Sequence, residues 1–409
     1  MLIRTLLVDD DAHLRGLMKK MLVHLEVQVV AEFGNGFEAL AWLNVQDKQP
    51  DIVICDLNMP EMDGVEFLRH LAALGFQGGV GLISGTGHHI LSTADHLGRT
   101  LGLVMLGGLV KPFKGDALAT MIKQFCSILP VQATQPSYPL SVGELRQCIA
   151  SGWVVIECQP QVSVQERKLQ GVEVLVRIQH PEYGLLPPAS FIDVAETSGM
   201  IVDITEAAFK QAVYWCDQWN QAGQSIKVSV NISMGDFKAL DLPEKLVRWA
   251  LERRIDHQQM VIELTETRLV ENLSQSLDIT TRLRIKGFGL SIDDFGTGYS
   301  TLNKLKHFPF TELKIDREFV NGAEHNPVTR AILESSVHLA KALDLTIVAE
   351  GADSQQDWDF VASLGVDLVQ GFFVSRPMAP DQVVAWKKAW EGSASAETTG
   401  AGHVEAEDD

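Results

Sequence analysis

Two adjacent acids, Asp293 and Asp294, end an apolar run in LSIDDFGTGYSTL, residues 290–302, and are followed by Gly296 and Gly298. Neighbouring side chains on a strand point to opposite faces, so both acids serve one centre only where the strand ends and the backbone bends. Such a bend suits a metal. The same arrangement, an apolar run ending in a carboxylate or amide, recurs as VEVLVR (Glu173), VSVNIS (Asn231), VIELTE (Glu263, Glu266) and IVAEG (Glu350). If Glu173, Glu263, Asp293, Asp294 and Glu350 converge, their repulsion requires cations among them. All-oxygen donors, with Asn231 as a neutral member, select Mg²⁺ or Mn²⁺ over zinc. Two such ions suit a phosphodiester, because they polarise phosphoryl oxygens and lower the pKa of water, and Asp293 is the natural shared ligand.

Cationic and amide groups complete the set: Arg177, Lys314 in ELKID, Gln159 in ECQP and Gln370 in LVQGFF. Arg177 has the fork to clamp a phosphate oxygen, whereas Lys314 is a point charge that can orient water or steady a transition state. A lone Arg or Gln at a strand end is usually a surface group. A lysine pointing into a barrel mouth needs acidic partners, so Lys314 carries more weight.

A second constellation lies near the N-terminus: Asp9 and Asp10, Asp56 in VICDLNMPEMDG, and Lys111 in VKPF. All follow expected strands, where open α/β sheets form their ligand crevice. Asp56 is the expected nucleophile for a phosphoryl group, Asp9 and Asp10 the magnesium holders, and Lys111 the partner of the new phosphate. A single aspartate is more often a helix cap or surface ion pair. The ordered set argues otherwise.

These groups require scaffolds, and the chain has room for two, with 409 residues. Residues 1–126 alternate β-like runs (RTLLV, VQVVAEF, DIVICD, GVGLIS, LVMLGGLV) with helical stretches, which predicts a doubly wound parallel sheet. Residues 127–140 hold three prolines and read as a linker. From residue 141 to 391, strands are expected near 154–159, 171–177, 226–232, 260–265, 288–293, 311–315, 346–350 and 367–373. Eight strands alternating with helices over about 250 residues fit a (β/α)8, TIM-like barrel. Residues 392–409 are small, polar and acidic, and are expected to be a disordered tail. The formal charge of −19 argues against non-specific binding to DNA or anionic membrane. Five cysteines without a C-x-x-C pair indicate neither a disulfide framework nor a zinc site. With no signal peptide or spanning run expected, a cytoplasmic location is predicted.

The N-terminal motifs resemble the receiver domain of two-component response regulators. The resemblance implies that Asp56 accepts phosphate from a sensor histidine kinase, that Asp9, Asp10, Asp56 and the Asn58 carbonyl hold one Mg²⁺, and that Ser84 and Lys111 form the switch. It departs at Gly108, where receivers usually carry Tyr or Phe. Residues 141–391 are similar to the EAL family of cyclic di-GMP phosphodiesterases, with Glu173-Val174-Leu175 as the name-giving triplet. That similarity implies hydrolysis of cyclic di-GMP to linear pGpG with two Mg²⁺ or Mn²⁺ ions. It assigns Glu173, Asn231, Glu263, Asp293 and Asp294 to metal. Lys314, Glu350 and Gln370 fall on the catalytic positions around the attacking water, and Glu266 where a glutamate anchors the regulatory loop DFGTGYSTL. Gln159, Leu175 and Arg177 fall on the substrate-contacting positions. Family members commonly form homo-oligomers. Departures are Asp353 for Glu, Ile178 for Trp and Cys158 for Tyr, the last expected to loosen packing around a guanine base. The competing reading is a catalytically silent barrel that binds cyclic di-GMP as a signalling module; silent members usually lack a metal residue, and none is missing.

Overall fold

The computed structural model describes residues 3–46, 48–85, 87–132, 139–233, 239–265, 273–296 and 307–400. The chain divides into two units, Met1–Pro136 and Ser137–Asp409.

The first unit is a parallel sheet of β1 (Arg4–Val8), β2 (Gln28–Phe33), β3 (Ile52–Asp56), β4 (Gly79–Ser84) and β5 (Val104–Val110), in the order 2-1-3-4-5. Helices α1 (Ala12–His24), α2 (Gly36–Leu43), α3 (Gly64–Ala73), α4 (His88–Thr100) and α5 (Gly115–Gln132) alternate with them. Short polar residues start several of these helices. Asp11 accepts from the backbone N–H groups of His13 and Leu14, Asn35 from Glu38 and Asp63 from Glu66, satisfying donors that a helix leaves bare. Two apolar layers, one on each sheet face, leave β3 and β4 fully buried.

The second unit closes eight strands into a barrel: β6 (Val154–Ser163), β7 (Leu169–His180), β9 (Lys227–Asn231), β10 (Met260–Thr265), β11 (Gly289–Phe295), β12 (Glu312–Ile315), β13 (Thr346–Glu350) and β14 (Leu368–Gln370). The short β8 (Gly184–Leu186) extends β7 outside the ring. All eight expected strands are present. One differs in direction: β6 is antiparallel to both neighbours, β7 and β14. The five residues between β6 and β7 are too few for the crossover of a dozen or more that parallel strands need, so the pair is a hairpin. Helices α6 (Val142–Ala150), α7 (Ile192–Ser198) and α8 (Ile201–Gln221) precede β6 or follow the hairpin. Trp219 and Trp249 are buried in the layer between barrel and helices, with Trp215 packed against it.

The expected linker and the expected disordered tail both begin as helix. Helix α5 runs to Gln132 and takes in Pro130. At the other end of the linker, Leu140 is buried and its N–H donates to Ser190 O at 2.9 Å, so it belongs to the barrel unit. The final helix spans Val383–Gly400 and takes in residues 392–400, whose Ala394, Ala396 and Glu397 are good helix formers. Residues 401–409 lie outside the described residues. This helix is tied to the β6–β7 turn: Trp390 Nε1 donates to Arg167 O at 2.9 Å, and Glu391 accepts from the Leu169 N–H at 3.2 Å.

Candidate active site

In the first unit, β1, β3 and β5 deliver Asp9, Asp56 and Lys111 to one end of the sheet. Asp9 and Asp56 are buried, Asp10 is exposed, and one oxygen from each lies within 4.8 Å of the others. Lys111 Nζ lies 2.9 Å from Asp9 Oδ2 and 2.7 Å from Asp56 Oδ2. Burial raises the Asp9 carboxyl above the usual range despite its bond to Lys111. Burial pulls the Lys111 ammonium down, but bonds to Asp56 and Asp9 outweigh it and leave it raised. Ser84 is fully buried at the end of β4, and the exposed Asn58 donates its backbone N–H to Asp56 Oδ1 at 3.3 Å. Cys55, beside Asp56, is a buried core residue whose thiol is pushed well up by burial. At Gly108 a Cβ would stand 2.9 Å from Leu91 Cδ2 on α4, so a ring there would require Leu91 to shift.

In the barrel, strand register sets the depth of each side chain. Gln159 pairs with Glu173, Asn231 with Glu263, Thr265 with Asp293, and Glu350 with Gln370. Lys314, fully buried on β12, is the hub. Its Nζ lies 3.3 Å from Glu173, 3.1 Å from Glu263, 3.4 Å from Asp293 and 2.6 Å from Glu350. Asn231 Nδ2 donates to Glu173 at 2.9 Å and Glu263 at 3.1 Å, which leaves the amide oxygen available to a cation. The adjacent acids meet the geometric condition set by the sequence. The ladder between β11 and β12 is irregular between Ile292 and Phe295, and Asp294 has a φ of 55°, a left-handed conformation that aspartate tolerates better than most residues. The bulge lets Asp293 and Asp294 serve one side of the sheet.

Charge governs this site. Five carboxylates face one ammonium, leaving four uncompensated charges if all ionise. Burial, then the neighbouring Asp293 and Glu173, push the Glu350 carboxyl up to about 8 in spite of Lys314. Burial and Asp293 push Asp294 to about 6, and burial raises the Glu263 carboxyl well above its usual range in spite of Lys314. Burial also opposes Glu173, but Lys314 and the Gln370 amide overcome it and hold its carboxyl low. Burial opposes the Lys314 ammonium too, yet the surrounding acids raise it well above its usual value. Glu263 Oε1 is buried without a hydrogen-bond partner. Among the described residues these acids lie wider apart than the Asp9 trio, spread around the ammonium. An oxygen-only set that would carry four surplus negative charges once fully ionised, with an orphaned buried oxygen, fits divalent cations.

Amides support the acids from below. Gln161 Nε2 donates to Gln370 Oε1 at 3.0 Å, Gln370 Nε2 donates to Glu173 and to Gln159 Oε1 at 3.1 Å, and Gln159 Nε2 donates to Ser375 O at 3.1 Å. Sequence reading missed Gln161; its place two residues after Gln159 on the same strand face was the available signal. Asp353 is occupied elsewhere. It accepts from Arg317 at 2.7 Å, Asn321 at 3.4 Å and the Phe372 N–H at 3.1 Å, bracing the mouth rather than reaching into it. Arg177, near the rim of β7 with Leu175, donates through Nε to Glu157 at 2.8 Å. Cys158 is a correction: it faces the outer apolar layer, opposite Gln159, with its thiol pushed to about 12 by burial. It therefore does not line the ligand side. Ile178 is likewise buried in an apolar cluster. Glu266 and residues 297–302 of the expected regulatory loop lie outside the described residues.

A family model for the EAL domain matches residues 142–377, more than half of the chain. The chain belongs to the EAL family. A response regulator receiver domain model matches residues 5–123. Over 383 residues this EAL protein is 33% identical to the cyclic di-GMP phosphodiesterase RocR of Pseudomonas aeruginosa, covering 93% of this chain and 97% of RocR. It is 36% identical over 243 residues to MucR of the same species, a bifunctional diguanylate cyclase/cyclic di-GMP phosphodiesterase, covering 59% of this chain and 36% of MucR. A solved MucR phosphodiesterase in complex with cyclic di-GMP superimposes with a TM-score of 0.57 at 36% identity, covering 59% of this chain and 98% of that one. Among the described residues of the EAL protein, no helix is long and apolar enough to cross a membrane.

Proposed function

We propose that this EAL protein is a response regulator that hydrolyses cyclic di-GMP to linear pGpG, using two Mg²⁺ or Mn²⁺ ions. One observation carries the reading: a complete oxygen-donor set surrounds Lys314 in a chain alignable with RocR over nearly its whole length. Glu173, Asn231, Glu263, Asp293 and Asp294 would hold the metals. When bound, those ions lower the pKa of water and polarise the phosphoryl group.

The chain's own residues do the rest. Arg177 clamps a phosphate oxygen through its free N–H groups, with Gln159 and Leu175 on the same wall. Lys314 and Glu350, 2.6 Å apart, are the groups placed to orient the attacking water and handle its proton. Gln370 donates to Glu173 and holds that carboxylate in place. In the receiver, Asp56 takes phosphate from a histidine kinase, one Mg²⁺ sits with Asp9, Asp10, Asp56 and the Asn58 carbonyl, and Ser84 and Lys111 read the phosphate. The boundary between the two functional modules falls within residues 127–140. The protein works in the cytoplasm as a homo-oligomer.

The test is a nucleotide assay on purified protein with magnesium, manganese and calcium in turn. Linear pGpG is expected with the first two and little with Ca²⁺, whose looser coordination holds water less tightly. Binding without pGpG under any of the three would leave a signalling module instead.

A further inference from the structure

The hairpin wall beside the acids carries a charged residue that neither metal nor family pattern accounts for. Glu157 lies on β6 directly opposite Leu175, with Val155 opposite Arg177, so Glu157 and Arg177 are diagonal neighbours on one face. That face also carries Gln159 and Glu173, one pair deeper. Glu157 Oε2 accepts from Arg177 Nε at 2.8 Å, and Arg177 Nη1 donates to Val176 O at 2.9 Å. Among the described residues nothing engages Nη2. The two side chains are 14% and 21% exposed, for arginine and glutamate respectively, so the pair is shielded on most sides and open on one.

Resting on the function proposed above, we infer that Glu157 is a positioning residue for substrate: it fixes the Arg177 guanidinium by its Nε edge and leaves Nη2 aimed at a phosphate of the cyclic dinucleotide. An arginine side chain loses rotamer freedom when it clamps a ligand, and a clamp already fixed loses less. The acid also sets a cost, since it lies near a dianionic ligand. Ordering outweighs this repulsion, because the carboxylate's charge is matched by the guanidinium it binds. Arg177 contacts the phosphate before and during the reaction alike, so the effect falls on KM and not on kcat.

The experiment measures pGpG formation with Mg²⁺ and cyclic di-GMP binding with Ca²⁺, on the full chain. Wild-type protein must bind and hydrolyse; if it does neither, the functional reading fails and the role of Glu157 is a separate matter. Glu157→Leu is expected to raise KM and Kd about tenfold, with kcat within about threefold of wild type. Glu157→Gln, which keeps an acceptor for Nε, should recover most of the loss. In an Arg177→Ala background, Glu157→Leu should add less than about twofold, since the group it positions is gone. The proposal is overturned by a Glu157→Leu enzyme with unchanged KM and Kd, by a KM that falls, or by a loss that persists undiminished without Arg177. Should the leucine variant not fold, the same cycle is run with Glu157→Gln, whose rise of about threefold must vanish in the Arg177→Ala background.

Discussion

At the scale of single residues, Lys314 determines what the barrel can be without metal. An ammonium with no exposure among four acids is tolerable only because each offsets the other's desolvation. Replacing it by methionine leaves those acids unpaired. Lys314→Met should destabilise metal-free protein by about 3–5 kcal/mol, read from denaturant midpoints, and Mn²⁺ should narrow the deficit. A variant as stable as wild type in chelator would argue that the acids do not face the lysine in solution. Glu173→Ala removes an acid that Lys314, Asn231 and Gln370 all contact. It should abolish pGpG formation while leaving the circular dichroism spectrum unchanged; turnover at the wild-type rate would refute the site assignment.

At the scale of elements, two loops at the mouth are interlocked by glycine. A Cβ on Gly371 would stand 2.1 Å from Ala352 O, and neither backbone can yield without moving Gln370 or Glu350. Gly371→Ala should cost roughly 1–3 kcal/mol and lower kcat, measured by denaturation and steady-state assay; an unaffected enzyme would mean that the loops are not packed this closely. The pairing of Asp293 with Asp294 was readable from the sequence as a demand for a bend, and the structure meets that demand with a bulge and a left-handed residue. The reversed direction of β6 was also implicit in the spacing, because too few residues separate it from β7 for a crossover. Alternation of apolar runs alone does not report strand direction, so an all-parallel ring was expected.

At the scale of the whole molecule, proton uptake and metal binding compete for the same acids. Glu350 ionises at about 8 and Asp294 at about 6 in the fold, whereas in an unfolded chain both ionise near 4. Between these limits the folded protein keeps protons that the unfolded chain has released. Stability of the metal-free protein is therefore full below about pH 4 as far as these groups are concerned, falls as pH rises through 6 and 8, and levels above. Stabilisation by Mg²⁺ or Mn²⁺ must grow over the same window, since the ions bind the ionised acids. Denaturation at pH 5.5 and 8.5, with ion or chelator, checks both slopes; a metal increment independent of pH would contradict them. For the receiver, Asp56→Asn should remove any response of hydrolysis to a small phosphodonor while basal activity remains. Activity in wild type that ignores the phosphodonor would argue against gating.

Residue type and order alone pointed to the groups that the structure gathers around Lys314. Carboxylates at strand ends, an amide among them and a lysine after an apolar run suit oxygen ligation of hard cations, and strand periodicity makes that pattern readable along the chain. What only the tertiary structure decided is which polar groups hold which. Asp353 braces loops instead of reaching the site, Cys158 turns outward, and Gln161 and Glu157 become the supports of Gln370 and Arg177. Those outcomes depend on register across strands distant in sequence, up to 209 residues apart for Gln161 and Gln370. No property of a residue and its neighbours along the chain encodes such a pairing; closure of the barrel does.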